Sequence, residues 1–207
     1  TMHVGFILAP RINASGRMSR AQTALRLLLT SNEREAQSLA GILEEENRQR
    51  REEEKRVTNE AIREVERSVN FSRDKVLVVA REGWHAGVIG IAASRLVDRY
   101  HRPAFVVALE GEKGKGSARS IRSFNLFKAL QAAQEFLGEF GGHEQAAGFQ
   151  VEERKISGLR KRLNEYAAEF YPPAAFLKSI EIDLEISLSD LTPKFLRELE
   201  LLEPHGI

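Results

Sequence analysis

Hydrophobic positions along this chain fall into short apolar blocks and longer stretches of helical period. Val4 to Ala9 is an apolar block that reads as a buried strand ended by Pro10. Ser19 is placed to cap a helix from about Arg20 to Leu29, and Ser31 or Asn32, the latter with Glu35 in capping-box register, to open the next. That next helix, from Asn32 to Val69, is apolar at Ala36, Leu39, Ala40, Ile42 and Leu43 and again at Val57, Ala61, Ile62, Val65 and Val69. Between Glu44 and Arg56 it has no apolar residue. A stretch polar on all sides bridges solvent or is held by side-chain pairs. Glu44 with Arg48, Glu46 with Arg50 and Glu52 with Arg56 supply such pairs at i,i+4, each worth about 0.2 to 0.5 kcal/mol. A continuous helix of this length is a rod of about 55 Å, which suits a spacer between domains. A coiled-coil dimer arm is the other use of such a rod, but the heptad seam lapses through the middle.

After Asn70 the pattern changes to alternating units. Lys75 to Ala80 and Pro103 to Leu109 read as buried strands around a helix from Val88 to Tyr100, so the sheet is at least partly parallel and the class is α/β. Ser117 to Ser120 continues in strand alternation. Leu126, Phe127, Leu130, Ala133 and Leu137 mark a helix that runs into Gly141-Gly142-His143, and Phe149 to Val151 resumes a strand. Ile156 to Phe170 is a helix closed by Pro172-Pro173. Beyond it Ile180, Ile182, Leu184, Ile186 and Leu188 alternate as a strand, and Pro193 to Leu202 is a short helix.

Composition narrows the class only slightly. With 207 residues, 42% hydrophobic and 29% charged, the chain has material for one sizeable core or two small ones. No apolar run approaches the ~18 to 20 residues of a membrane span. Cysteine is absent, which rules out disulfides and thiolate metal sites and agrees with a cytoplasmic setting. The net charge is +1, so attraction for nucleic acid has to come from local patches.

Four segments carry candidate chemistry. Arg11, Asn13 and Arg17, in a turn-like run from Ala9 to Met18, could meet an anion, although local sequence alone favours Arg11 and Arg17 holding loop carbonyls. Trp84 and His85 follow the first strand at its carboxyl end, where α/β sheets bind ligands, and suit either base stacking or an aromatic plug at a domain contact. Ser117 and Arg119, two apart on a strand, project from one face as an oxygen-gripping pair, with Lys115 and Arg122 adding positive charge; a solvated basic hairpin tip is the alternative. The run from Gly141 to Phe149 places His143 after two glycines and before Ala146, Ala147 and Gly148, leaving little bulk beside an imidazole.

Together Ala9 to Met18 (APRINASGRM), Glu82 to Leu96 (EGWHAGVIGIAASRL), Ser117 to Ser120 (SARS) and Gly141 to Phe149 (GGHEQAAGF) resemble the bacterial RecJ family, single-strand-specific 5′-to-3′ DNA exonucleases of the DHH phosphoesterase superfamily. The resemblance implies a remnant of the DHH catalytic domain over residues 1–30 and an interdomain helix over 31–70. It further implies a mixed-sheet DHH-associated domain flanked by helices over 71–175 and the start of an OB-fold module over 176–207. It implies that Ser117, Arg119, Gly141, Gly142, Asn13, Arg17, Trp84, His85, Lys115 and Arg122 contact DNA or its phosphates and that His143 serves at the catalytic site. Mn²⁺ or Mg²⁺ would be bound by an N-terminal domain lying before Thr1, with no metal ligands here. Asp74, Asp98, Asp183 and Asp190 are scattered and no Asp-His-His occurs, so this chain alone is expected to be inactive. The implied partners are single-stranded DNA and, as for the family, a helicase and single-strand-binding protein. Two alternatives stay open: a non-catalytic single-strand-binding module, and an oligonucleotide or cyclic-dinucleotide phosphodiesterase.

Overall fold

The computed structural model describes residues 3–180, 182 and 184–203. Contacts divide the chain into a unit of residues 1–177 and a smaller one of residues 178–207.

The first unit opens differently from the sequence expectation. His3–Leu8 is a π-type helical turn leading into helix α1 (Ala9–Met18). It is not a buried strand: Val4 and Phe6 are 63% and 72% exposed. Pro10 lies in the first turn of α1, where its missing N–H costs nothing, so it begins a helix where it was expected to end a strand. The run from Ala9 to Met18 is therefore helical, which puts Asn13 and Arg17 on one face, four residues apart. Helix α2 (Gln22–Leu29) has no side-chain cap; Ser19 instead donates to the Ser15 carbonyl and to the Glu46 carboxylate.

Helix α3 (Glu33–Ser68) is continuous over 36 residues, and the Asn32 side chain caps it by accepting from the Glu35 N–H. Its middle is not wholly solvated. Asn47 is 2% exposed and the Arg50 and Glu54 side chains 13% and 15%, because α1 lies against this part of the rod. That contact also reassigns the expected ion pairs. Glu44 goes to Arg11 (2.5 Å) and Glu46 to Ser19, both from the α1 segment. Arg48 then bridges Glu45 and Glu52, Arg50 takes Glu54, and Arg56 bridges Glu53 and Glu60.

Five strands follow: β1 (Leu77–Glu82), β2 (Ala104–Glu110), β3 (Lys113–Arg119), β4 (Leu137–Gly142) and β5 (Ala146–Glu152). The sheet order is β1-β2-β3-β5-β4. Strands β1 and β2 are parallel around helix α4 (Ile89–Tyr100), and the other pairings are antiparallel. One face packs on α3 and α4 through Leu77, Val79, Val106 and Leu96. The other packs on α5 (Leu126–Ala132) and α6 (Ile156–Phe170) through Phe105, Phe124, Phe149 and Leu159. Edge strand β1 is shielded by α6: Asn164 accepts from the Lys75 and Val76 N–H groups, and Arg160 donates to the Val78 carbonyl.

The helix expected to run from Leu126 into Gly141 stops at Ala132, and after a 3₁₀ turn (Gln134–Phe136) the chain enters β4. Gly138 weakens a helix there by about 1 kcal/mol, whereas β5 offers a ladder, so tertiary pairing overrides the helical spacing of Leu137. In the second unit the expected strand from Ile180 to Leu188 is not formed among the described residues, which carry a 3₁₀ turn (Leu188–Asp190) and helix α7 (Pro193–Glu200); Glu181 and Asp183 of that expectation lie outside the described residues.

Strand β3 alternates between two demands. Lys113, Lys115, Ser117 and Arg119 share one face, while Gly114, Gly116 and Ala118 face the Phe149 core. A Cβ on Gly116 would lie 2.1 Å from the Phe149 ring. Gly116→Ala is therefore expected to cost about 1 to 3 kcal/mol, read as a lower urea midpoint at unchanged slope.

Candidate functional site

Alternation on β3 puts Ser117 and Arg119 on the sheet face that α4 covers, at the point where α4 begins. The approach is tight: a Cβ on Gly90 would lie 3.0 Å from Ser117 Oγ and 3.2 Å from Arg119 Nη2. Arg119 Nη1 donates to Ser117 Oγ at 3.3 Å and to the Ala118 carbonyl at 2.8 Å. No carboxylate pairs with Arg119 among the described residues.

Arg17 reaches the same place from α1. Its Nη1 donates to the Gly87 carbonyl at 3.3 Å, and its own carbonyl oxygen sits where a Gly87 Cβ would be, 2.1 Å away. His85 Nδ1 accepts from the Gly87 N–H at 3.0 Å, closing the turn that starts α4. Burial first, and then the positive charge of Arg17, lower the proton affinity of Arg119. Two guanidinium groups held close together without a carboxylate repel each other, and an anion between them would relieve that repulsion.

Toward the sheet edge the floor beside this pair has almost no side chains. Ser117 pairs with Gly148, and Gly148 with Gly141; Arg119 pairs with Ala146, whose carbonyl accepts from the His143 N–H at 2.9 Å. At about 4.8 Å per strand, the backbone of His143 stands about 10 Å from that of Arg119. Gly148 and Gly141 are exposed. His143 thus lies between two antiparallel strands, which corrects the expected position between a helix end and a strand. The turn is anchored: Ser120 N–H donates to the Gln145 carbonyl, Leu126 N–H to the Glu144 carbonyl, and Asn125 Nδ2 to the Glu144 carboxylate. Because His143 N–H points at β5, strand alternation turns the Gly142 N–H outward; Gly142 itself adopts φ +145°, a region open to glycine.

Residues 73–169 match the DHHA1 domain. Over 99% of its length the chain is 42% identical to the single-stranded-DNA-specific exonuclease RecJ of Bacillus subtilis and 37% identical to that of Thermus thermophilus. A crystal structure of RecJ from Thermus thermophilus in complex with Mn²⁺ superposes with TM-score 0.85 at 36% identity, covering 99% of this chain and 30% of that one. The chain is homologous to RecJ over nearly its whole length. It spans 26% and 29% of the lengths of the two curated RecJ relatives.

Against this RecJ frame, Arg17, His85, Ser117 and Arg119 come together at the start of α4, with Gly141, Gly142 and His143 along the adjoining edge. Asn13 is exposed on the same α1 face as Arg17, and Lys115 continues the β3 row. Arg122 is exposed just beyond β3, in the turn before α5. Of the two uses open to Trp84, burial fits the plug and not base stacking: the residue is 4% exposed, packed among α3 and α4 residues, with its indole N–H donated to Glu60 Oε2 at 2.8 Å. It plugs the contact between the long helix and the sheet. A metal site does not fit here, since no group of three or more His, Asp or Glu that could hold an ion occurs among the described residues.

Gly87, Gly90 and Gly148 were missed as site residues. Their signal was the glycine spacing Gly83, Gly87, Gly90 at a helix start and the Ala-Ala-Gly after His143, each marking a place where backbone or guanidinium must come close. Two outcomes follow. Gly90→Ala is expected to displace the Arg119 guanidinium and weaken inorganic phosphate binding several-fold while the thermal midpoint changes little, measured by calorimetric titration and melting. The Trp84 hydrogen bond, ahead of Arg56 and Arg81, lowers the Glu60 pKa. Glu60 thus stabilises the fold above the ordinary carboxylate range near 4.3, and this contribution fades as pH falls through its lowered value. Between about pH 5 and pH 3 the stability of the wild type should fall more steeply than that of Glu60→Gln in urea titrations.

Proposed function

We propose that this chain is the substrate-gripping part of a single-strand-specific 5′-to-3′ DNA exonuclease. The observation that carries the reading is the pair Arg17 and Arg119, without a carboxylate partner among the described residues, beside a glycine-lined sheet edge. Phosphodiester oxygens of one strand are met by Ser117 Oγ, the Arg119 fork, the outward Gly142 N–H and His143, with Asn13, Arg17, His85 and Lys115 bordering the path and Arg122 adding charge beyond β3. The missing Cβ atoms at Gly141 and Gly148 let a backbone lie close to the sheet. Homology to RecJ supports nucleic acid as the substrate class and hydrolysis as the reaction of the whole protein.

Hydrolysis would use Mn²⁺ or Mg²⁺, as supported by RecJ crystals from Thermus thermophilus containing each ion. The described residues offer no cluster for it, so we assign metal binding and water activation to other parts of the protein. In this division of labour His143 and Arg119 neutralise charge on the phosphate and fix its position. The same reading gives residues 1–30 as the end of the catalytic domain, 31–70 as its connecting helix, 71–175 as the DHH-associated domain and 176–207 as the entry to an OB fold. Single-stranded DNA is the proposed partner, with a helicase and a single-strand-binding protein acting on the same strands, in the cytoplasm.

The 207-residue chain alone should not cleave single-stranded DNA in Mn²⁺, and sustained cleavage across independent preparations would refute the division. In the full-length protein Arg119→Ala should lower kcat/KM by about 100-fold or more; an unchanged rate removes Arg119 from the site. Comparing a long single strand with a dinucleotide separates this reading from a small-nucleotide phosphodiesterase.

A further inference from the structure

A second basic cavity, of about 570 Å³, lies between the amino end of α1, the middle of α3 and α4. Four cations line it, Arg50, Arg51, Lys55 and Arg95, against one carboxylate, Glu54. Glu54 is already shared by Arg50 (2.5 Å) and Arg95 (3.4 Å), and Arg51 reaches only Glu44, at 3.7 Å. Lys55 has no ion-pair or hydrogen-bond partner among the described residues. Two polar atoms of the lining, Arg50 Nε and Thr58 Oγ1, are buried without any hydrogen-bond partner. Such atoms are unfavourable when left unmet. The exposed Lys55 ammonium and the loosely paired Arg51 guanidinium leave surplus positive charge and free N–H donors at the mouth of the cavity, which a phosphate group satisfies.

The cavity is connected to the Arg119 site by two elements. On α1, Pro10 lines the cavity and Arg17 reaches Gly87, seven residues and about 10 Å apart along the helix. On α4, Gly90 abuts Arg119 while Ile91 and Arg95 turn toward the cavity. About 10 Å corresponds to some three nucleotides of a stacked strand at about 3.4 Å each.

We propose that the cavity formed by Arg50, Lys55, Thr58 and Arg95 is a second phosphate site, which takes a backbone phosphate of the strand some three nucleotides away from the phosphate that lies at Ser117 and Arg119. The strand assignment rests on the function proposed above; the phosphate chemistry does not. Inorganic phosphate added to the chain should shift the Thr58 methyl and Arg50 Nε–H resonances, in the wild type and equally in Arg119→Ala. Lys55→Glu alters an exposed side chain and should leave the fold intact, checked by circular dichroism. It should weaken a 5′-phosphorylated hexathymidylate about five- to tenfold and flatten its log-affinity against log-salt slope by about 0.7, with thymidine 5′-monophosphate at the Arg119 site unaffected. Equal weakening of hexamer and monophosphate supports a phosphate site for free nucleotides and overturns the strand assignment. Unmoved Thr58 and Arg50 signals overturn the site itself. If Thr58 responds but Arg119→Ala binds the hexamer like the wild type, the Arg119 reading fails and the cavity stands.

Discussion

The geometry of this protein depends on how closely α1 can approach the start of α4. The Arg17 carbonyl occupies the space where any residue but glycine at position 87 would carry its Cβ, 2.1 Å away. That approach carries Arg17 to the end of β3, turns Asn13 to the same side and lays the amino end of α1 against the rod. A larger residue at 87 would force α1 away and separate the two guanidinium groups. The arrangement is electrostatically unfavourable on its own terms, since burial and like charge both act against Arg119. Stability for it comes from elsewhere, from the two apolar layers on either face of the sheet.

The long helix is packed along both of its halves. Its amino half is gripped by α1 and α2 and its carboxyl half by α4 and β1. Trp84 and Arg56 connect it to the loop after β1, the indole to Glu60 and the guanidinium to the Gly83 carbonyl. The rod is thus a common backing for α1, which carries Arg17, and α4, which carries Gly90. In the RecJ frame, this fixes groups from two distant stretches of sequence without asking either stretch to contact the other extensively.

Much of this was legible in the sequence because it follows from local rules. The cap at Asn32, the continuity of α3, the parallel β1 and β2 pair and the shared face of Ser117 and Arg119 come from capping, period and alternation. The errors arose where a remote partner decides. Pro10 is equally at home after a strand and inside the first turn of a helix, and only the rod beside it selects the helix. Leu126 to Leu137 keeps helical spacing past the point where β5 claims the chain. Trp84 stayed open between a stacking platform and a plug because it follows a strand end; Glu60, 24 residues earlier, holds it as a plug. The roles of Gly87 and Gly90 depend on atoms of Arg17 and Arg119, which no local window contains.

The free rim of β4 carries a further consequence. The outward Gly142 N–H, proposed above as a phosphate contact, also belongs to the edge strand of the five-stranded sheet, and unpaired edge groups are a template for strand addition. A strand that docked along β4 would consume the same donor a ligand needs. Self-association and ligand occupancy are thus rivals for one hydrogen-bonding row, so a filled site would act as a solubiliser of the chain.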